Sequence, residues 1–247
     1  MRVKNQLQSC RLCGSASELR HSHIVPEFLY KDQGLYNHKK QMIGFTGNGP
    51  KGYATIHKGL RDYLLCDACE QFINENFEKP FRKLWVEHFP LPNPWKPNLF
   101  HFTRVDYATF KLFHLSVLFR ASVSTAPTFA AVHLGPHEAR IRQMLLSLDS
   151  GPDWLYPIAG RAPVNPLTGS LIPLVSRAYG YKKDGKHVYS MNYGCVEWSF
   201  GISNERHRLF ESLALRADGL MTFSSVSLRE MPFFQEVKQI LDHADAP

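Results

Sequence analysis

What this sequence lacks narrows its class before any motif is read. Cysteine is scarce, five in 247 residues, and an odd total makes a poor disulfide framework. That usage fits a reducing compartment in which thiols serve metals. No run approaches the ~18–20 apolar residues of a membrane helix, and the opening MRVKNQLQSC has no apolar core of the kind a secretory signal carries. A cytoplasmic protein with no membrane partner is expected. Repeats, heptads and low-complexity tracts are missing too, which excludes solenoids and coiled coils. So is an acidic surplus: 29 Lys and Arg against 22 Asp and Glu leave a formal charge of +7. A basic balance favours an anionic partner, nucleic acid being the commonest, although charge spread over the whole surface would serve solubility alone.

What is present begins with the thiols. Four of the five cysteines form two pairs, Cys10-Arg11-Leu12-Cys13 and Cys66-Asp67-Ala68-Cys69. Four thiolates are the ligand set of a closed, tetrahedral, structural Zn²⁺ site. Gly14 permits the tight turn that presents the first two sulfurs to one ion. An element this small buries too little to fold alone, so the metal would contribute directly to folding. Cys195, alone in a β-prone run, reads as a small buried hydrophobe.

Between the pairs, residues 18–25 read as a short strand or hairpin that Pro26 interrupts, with a brief helix after it. Residues 32–59 form a long polar loop rich in Gly, Asn and Lys; its length points to function, against the alternative of an inert insertion. From Leu60 the pattern turns helical, with Cys66 and Cys69 on the first turn, Phe72, Ile73 and Phe77 on one face and Glu70, Asn74 and Glu78 on another. Pro80 predicts a break or kink near Lys79. Residues 89–98 hold four prolines and mark a linker between a module at 1–88 and an α+β domain at 99–247. That second domain should open with an apolar helix capped by Asp106, in which Arg120 needs a carboxylate or carbonyl partner. A second helix over 135–148 and a Gly/Pro loop over 150–170 should follow. Strands over 171–201 should turn at Asp184-Gly185, and a helix should close the chain.

A knuckle on a hairpin followed by a second Cys pair at a helix start is the treble-clef layout. The segments CRLCG, LRHSHIVPEF and LLCDACEQFIN together resemble the zinc-stapled branch of the HNH, or His-Me finger, endonucleases over residues 10–78, about a third of the chain. The resemblance implies an α+β protein: an N-terminal ββα-metal treble clef followed by a mixed helical and antiparallel-β domain. It implies a DNA phosphodiesterase, with RNA the weaker alternative, that uses a catalytic Mg²⁺ or Mn²⁺ beside the structural zinc. His23, in its His-Ile-Val-Pro context, matches the general base. Glu70 occupies the place of the family's helix His or Asn, Asn74 could assist one turn on, and His21 could substitute for Ser22, which stands where an acid or His ligand is expected. Arg61-Asp62 fall where the family has its middle Asn, and neither matches it. By fold-level analogy the resemblance implies a role in bacterial defence.

The physical logic is simple. An imidazole with pKa near ~6.5 can deprotonate water at neutral pH, and a hard cation stabilises the charge developing on phosphate. Lys39, Lys40, Lys51, Lys58 and Arg61 border the site and could contact phosphates. Each feature also has a plainer reading. His21 and His23 could be secondary zinc ligands or core hydrogen-bonding residues, Glu70 an ordinary first-turn acid, and the lysines a solvated loop. A non-catalytic zinc module that binds nucleic acid or a protein is therefore the alternative, and the C-terminal domain could mediate homo-oligomers or hold a partner.

Overall fold

Three small antiparallel pairs shape the described part of the chain's first third. The computed structural model describes residues 7–45, 53–88, 99–165, 167–168 and 170–231, with 234 and 238. Gln8–Ser9 (β1) pairs with Ala16–Ser17 (β2) across the first Cys turn, and Leu19–His23 (β3) then runs antiparallel to the later strand Arg61–Cys66, with an irregularity between Arg20 and His21. Pro26, with its φ of −56°, leads into the short helix α1, Glu27–Lys31, the fixed φ being suited to a helix start.

The stretch 32–59, expected to be a loop throughout, contains a hairpin: Gln41–Phe45 (β4) pairs with Tyr53–His57 (β5). Its polar composition hides an apolar cross-strand pair, Met42 opposite Ile56, of the kind that stabilises a ribbon. Residues 46–52, including Lys51, lie outside the described residues. The helix expected from Leu60 starts later, because Arg61–Cys66 (β6) is drawn into a strand by pairing with β3; the chain then enters α2, Asp67–Ile73, a π-helical turn, Asn74–Glu78, and α3, Lys79–His88. The expected break at Pro80 does not occur. Lys79 N–H donates to the Asn74 carbonyl five residues back, and the widened turn accommodates a ring that would otherwise strike the carbonyl four residues before it.

Leu99–Phe102 (β7) precedes α4, Tyr107–Val123, where the Asp106 carboxylate accepts from Thr109 N at 2.7 Å, as a capping residue should. From Phe110 to Ala121 every residue of α4 is buried, which explains its apolar character all round. Along α5, Pro136–Ser147, Ile141, Met144 and Leu145 are buried. The remaining strands are Ile158–Val164 (β8), Tyr179–Lys183 (β9), Lys186–Tyr193 (β10), Val196–Ile202 (β11) and Met221–Ser227 (β12). With β7 they form a six-stranded sheet in the order β7-β12-β8-β11-β10-β9.

Three corrections follow. The sheet is mixed, because β12 runs parallel to β8. The Gly/Pro stretch 150–170 supplies strand β8, where a Cβ on Gly160 would collide with the Phe223 ring; the glycine is there because two strands' contents meet closely. Cys195 is only partly buried and sits in a two-residue turn, Gly194 and Cys195 at φ of 70° and 58°, that splits the expected continuous run into β10 and β11. The turn at Asp184 and Gly185, with φ of 51° and 75°, is the expected one, since two positive φ values match the twist of a hairpin.

One apolar core cluster includes Cys10, Leu12, Leu65, Phe81, Phe113, Trp198 and Phe223, so residues of the first third and of the later sheet share it. The proline-rich segment 89–98 and nearly all of the expected closing helix lie outside the described residues. No helix among the described residues is long and apolar enough to cross a membrane.

At the centre of this core His114 Nδ1 hydrogen-bonds the Tyr193 hydroxyl at 2.6 Å and packs between Phe110 and Trp198. Burial holds its imidazole well below the ordinary range, so the native ring stays neutral while the unfolded one gains a proton below about pH 6.5. Stability therefore declines as pH falls through that value, by up to ~1.4 kcal/mol per pH unit for this ring. Urea unfolding of His114→Phe should show a shallower decline between about pH 6.5 and pH 5 than the parent chain; equal slopes would remove this ring from the account.

Candidate metal centre and histidine site

Cys10 and Cys13 flank the turn after β1, where Gly14 N–H donates to the Cys10 carbonyl at 2.8 Å and Gly14 takes a φ of 82°. Cys66 ends β6 and immediately precedes α2, and Cys69 lies in that helix's first turn. The four sulfurs fall within 4.8 Å of one another, and Cys13 Sγ lies 3.8 Å from Cys66 Sγ. A Zn–S bond of ~2.3 Å in tetrahedral geometry gives sulfur–sulfur edges of ~3.8 Å, whereas a disulfide would need ~2.05 Å. The donor set fits a structural Zn²⁺.

Its surroundings favour a thiolate at Cys13 and oppose one at Cys66 and Cys69. Cys66 N–H donates to Cys10 Sγ at 3.3 Å, and hydrogen bonds from Ser15 lower the Cys13 thiol to about 6. Burial pushes the Cys66 and Cys69 thiols up, a penalty that a divalent cation at the centre would reverse. The knuckle is also tied to the rest of the fold, since the Arg142 guanidinium on α5 donates to the Leu12 carbonyl. Purified protein should carry one Zn²⁺ per chain by elemental analysis. Cys69→Ala should lose it together with about 3 kcal/mol or more of unfolding free energy. Metal-free protein with unchanged stability would refute the assignment.

The second site begins at the end of β3. His23 Nε2 lies 2.9 Å from the Lys58 carbonyl. A carbonyl only accepts, so Nε2 carries the proton and the neutral ring keeps its lone pair on Nδ1. Burial lowers the His23 pKa, and the positive charge of Arg61 lowers it further, against the opposing pull of the Lys58 carbonyl, Glu27 and Glu78. The ring is thus a neutral base near pH 7.

The Lys58 carbonyl is itself held by backbone conformation. Lys58 and Gly59 adopt φ of 58° and 72°, Lys58 N–H donates to the Lys40 carbonyl at 2.9 Å, and Leu60 N–H donates to the Tyr30 hydroxyl at 3.2 Å. A Cβ on Gly59 would stand 2.8 Å from Tyr30 Cε2 and 2.9 Å from the Tyr36 hydroxyl. Gly59→Ala should therefore cost about 1–3 kcal/mol and release the Lys58 carbonyl. The His23 imidazole, followed by NMR titration, should then move further down, because the carbonyl that accepts from Nε2 favours the protonated ring; a folded variant with an unchanged titration would separate Gly59 from the ring.

His23 shares a cavity of about 330 Å³ with Glu27, Asn74 and Glu78, with Lys79 and Arg82 also at its walls. Asn74 and Glu78 open and close the π-helical turn. The basic groups are partly engaged: Lys79 pairs with Glu75, Arg82 with Asp32, and Lys40 reaches Glu27 at 3.2 Å. Of the sequence-derived candidates, His23 and Asn74 meet here. Glu70 does not line the cavity. It is partly buried with Oε1 unpartnered, and burial raises its carboxyl despite the nearby Ser22 hydroxyl and Arg120. His21 is exposed and stacks on Tyr63 at 4.8 Å, while Ser22 is 1% exposed. Arg61 stands opposite His23 in the β3–β6 pair, and Lys39, Lys40 and Lys58 are exposed at the hairpin base. Asp62 has a docking role, accepting from Thr125 N at 2.7 Å and from the Ser124 hydroxyl at 3.0 Å.

Glu27 and Glu78 are cavity residues that sequence reasoning did not select. Glu78 was visible as the third member of the Glu70-Asn74-Glu78 face, and Glu27 as the acid following the His-Ile-Val-Pro segment. Comparison of the chain with family models, with curated proteins and with solved structures finds no match.

Proposed function

We propose that the chain is a metal-dependent endonuclease of the HNH, or His-Me finger, type, hydrolysing DNA phosphodiesters with His23 as general base and the four-cysteine zinc as scaffold of a treble clef. The observation that carries this reading is the hydrogen bond from His23 Nε2 to the Lys58 carbonyl, which leaves Nδ1 free beside a cavity that also holds carboxylates. Glu78, Glu27 and the Asn74 amide offer the hard oxygen donors that Mg²⁺ or Mn²⁺ prefers, with Glu78 and Asn74 fixed by one turn. Such a cation would supply charge stabilisation for the phosphate and the departing oxygen. His23 Nδ1 takes a proton from water as the water oxygen bonds to phosphorus and the phosphorus–oxygen ester bond breaks. Lys39, Lys40 and Lys58 suit contacts to flanking phosphates, which give salt-sensitive binding with little sequence preference.

A second reading has its own observation. Ser22 is buried and Glu70 lies off the cavity, so the ligand position beside the base is unfilled by an acid, which favours a zinc module that binds nucleic acid or protein without cutting. Plasmid nicking decides between them. His23→Ala should abolish Mg²⁺- or Mn²⁺-dependent nicking while zinc content and folding persist. Undiminished nicking by that variant would overturn the mechanism, and salt-sensitive DNA binding with no nicking by the parent chain under either metal would establish the second reading.

A further inference from the structure

The ribbon formed by β3 and β6 has one face turned to the protein and one turned away. Side chains two residues apart on a strand share a face. The pairing of His21 with Tyr63 and of His23 with Arg61 therefore puts these four side chains on the same side. Ser22 and Asp62 lie on the other side, where Ser22 is buried and Asp62 holds the end of α4.

The first rung of the outer face is a pair of rings. His21 and Tyr63 stack with centroids 4.8 Å apart and 14° between their planes, and Tyr63 is 58% exposed. A lone exposed aromatic is ordinary. Two rings that stack on each other at the surface are a flat platform already in place, with little conformational freedom left to lose. The second rung is charged. Arg61 is partly exposed, and no carboxylate pairs with it among the described residues. Its charge acts on both the His23 and the Tyr36 rings, which places it at the edge of the His23 site. Glu27, an acid of that site, is taken by Lys40 at 3.2 Å. Beyond Arg61, Lys58 and Lys40 are exposed at the end of the ribbon and continue the positive charge.

The two rungs lie ~7 Å apart, two residues at ~3.3 Å each, a separation that one nucleotide spans from base to phosphate. Rings at one rung and an unanswered guanidinium at the next match a ligand with a π-face and an anion at that separation, and a guanidinium is well shaped for phosphate. A base inside a duplex has both faces covered by its neighbours. Only an unpaired, unstacked base can lie on a protein ring.

We propose that this face holds single-stranded DNA, with one unpaired base on the His21–Tyr63 platform and the adjoining phosphate at Arg61, beside His23. The inference rests on the reading of the chain as DNA-directed and deepens it by naming an unpaired strand as the substrate. A negatively supercoiled plasmid offers such a strand where it opens locally.

Fluorescence anisotropy tests it, with a labelled oligothymidylate and a labelled blunt duplex of equal length. Each is titrated with the full-length, zinc-loaded chain without Mg²⁺ or Mn²⁺, so that binding is read apart from cutting. The single strand should bind more tightly than the duplex. Tyr63→Ala, a change at an exposed position, should weaken single-strand binding about tenfold, the loss expected for one stacked base, and leave duplex binding unchanged. Tyr63→Phe keeps the ring and should bind like the parent chain. Arg61→Gln should weaken single-strand binding and lower its salt slope by ~0.7, the value of one phosphate contact. Absence of single-strand binding, a duplex bound as tightly as the single strand, or an affinity that Tyr63→Ala leaves unchanged would overturn the proposal. Tyr63-dependent single-strand binding by a chain that nicks no plasmid under either metal would uphold the platform and remove the catalytic reading. Nicking by a chain whose strand binding ignores Tyr63→Ala would do the reverse.

Discussion

A guanidinium with 1% of its side chain exposed must be answered by protein, because the loss of its hydration costs several kcal/mol. Arg120 is answered from three directions. Its Nη1 donates to Glu78 Oε1 at 2.7 Å and to the His23 carbonyl at 2.8 Å, and its Nε donates to the Ser116 carbonyl at 3.2 Å. Those bonds fix the buried helix α4, the π-helical turn after α2 and the end of β3 relative to one another. Two of the groups so held, His23 and Glu78, are walls of the same cavity. The geometry of that site is thus set by a residue that does not line it.

The same helix fastens the cysteine-bearing third to the large sheet. The Phe81 and Phe113 rings stack at 3.6 Å, Trp85 lies 6.1 Å from Trp198, and Asp62 takes up the end of α4 through Ser124 and Thr125. A metal cluster can hold its own turn and helix start, but it places nothing beyond them. The aromatic layer between α3, α4 and β11 carries that orientation outward, and a continuous core is the result.

Legibility varied with how local each cause was. Asp106, the Asp184-Gly185 turn and the four cysteines act over a few residues or through a fixed ligand chemistry, and each was readable from its neighbours. The misreadings share a different cause. Pro80 suggested a break because its ring clashes with an α-helical carbonyl, and a single π-helical turn removes that clash. Gly160 and Pro163 made residues 158–164 look like loop, yet the glycine is what lets Phe223 of the adjoining strand approach. Met42 and Ile56 stabilise a hairpin only when paired across a polar segment.

The sequence by itself determined the four cysteines of the metal-binding cluster, the mixed α and β character, the cap and turn of the second half, and His23 as the histidine to examine, because composition and short spacing encode them directly. Only the tertiary structure decided which acids stand near that histidine. Glu70 and Glu78 lie on one nominal helix face, but the π-helical turn and the Arg120 ion pair bring Glu78 to the His23 cavity, while Glu70 stays partly buried beside Ser22. Which nitrogen of His23 is free was likewise settled by a carbonyl 35 residues away in the chain, and the stack of His21 on Tyr63 became visible only when β3 met β6. Contacts of that range depend on packing that no local pattern specifies.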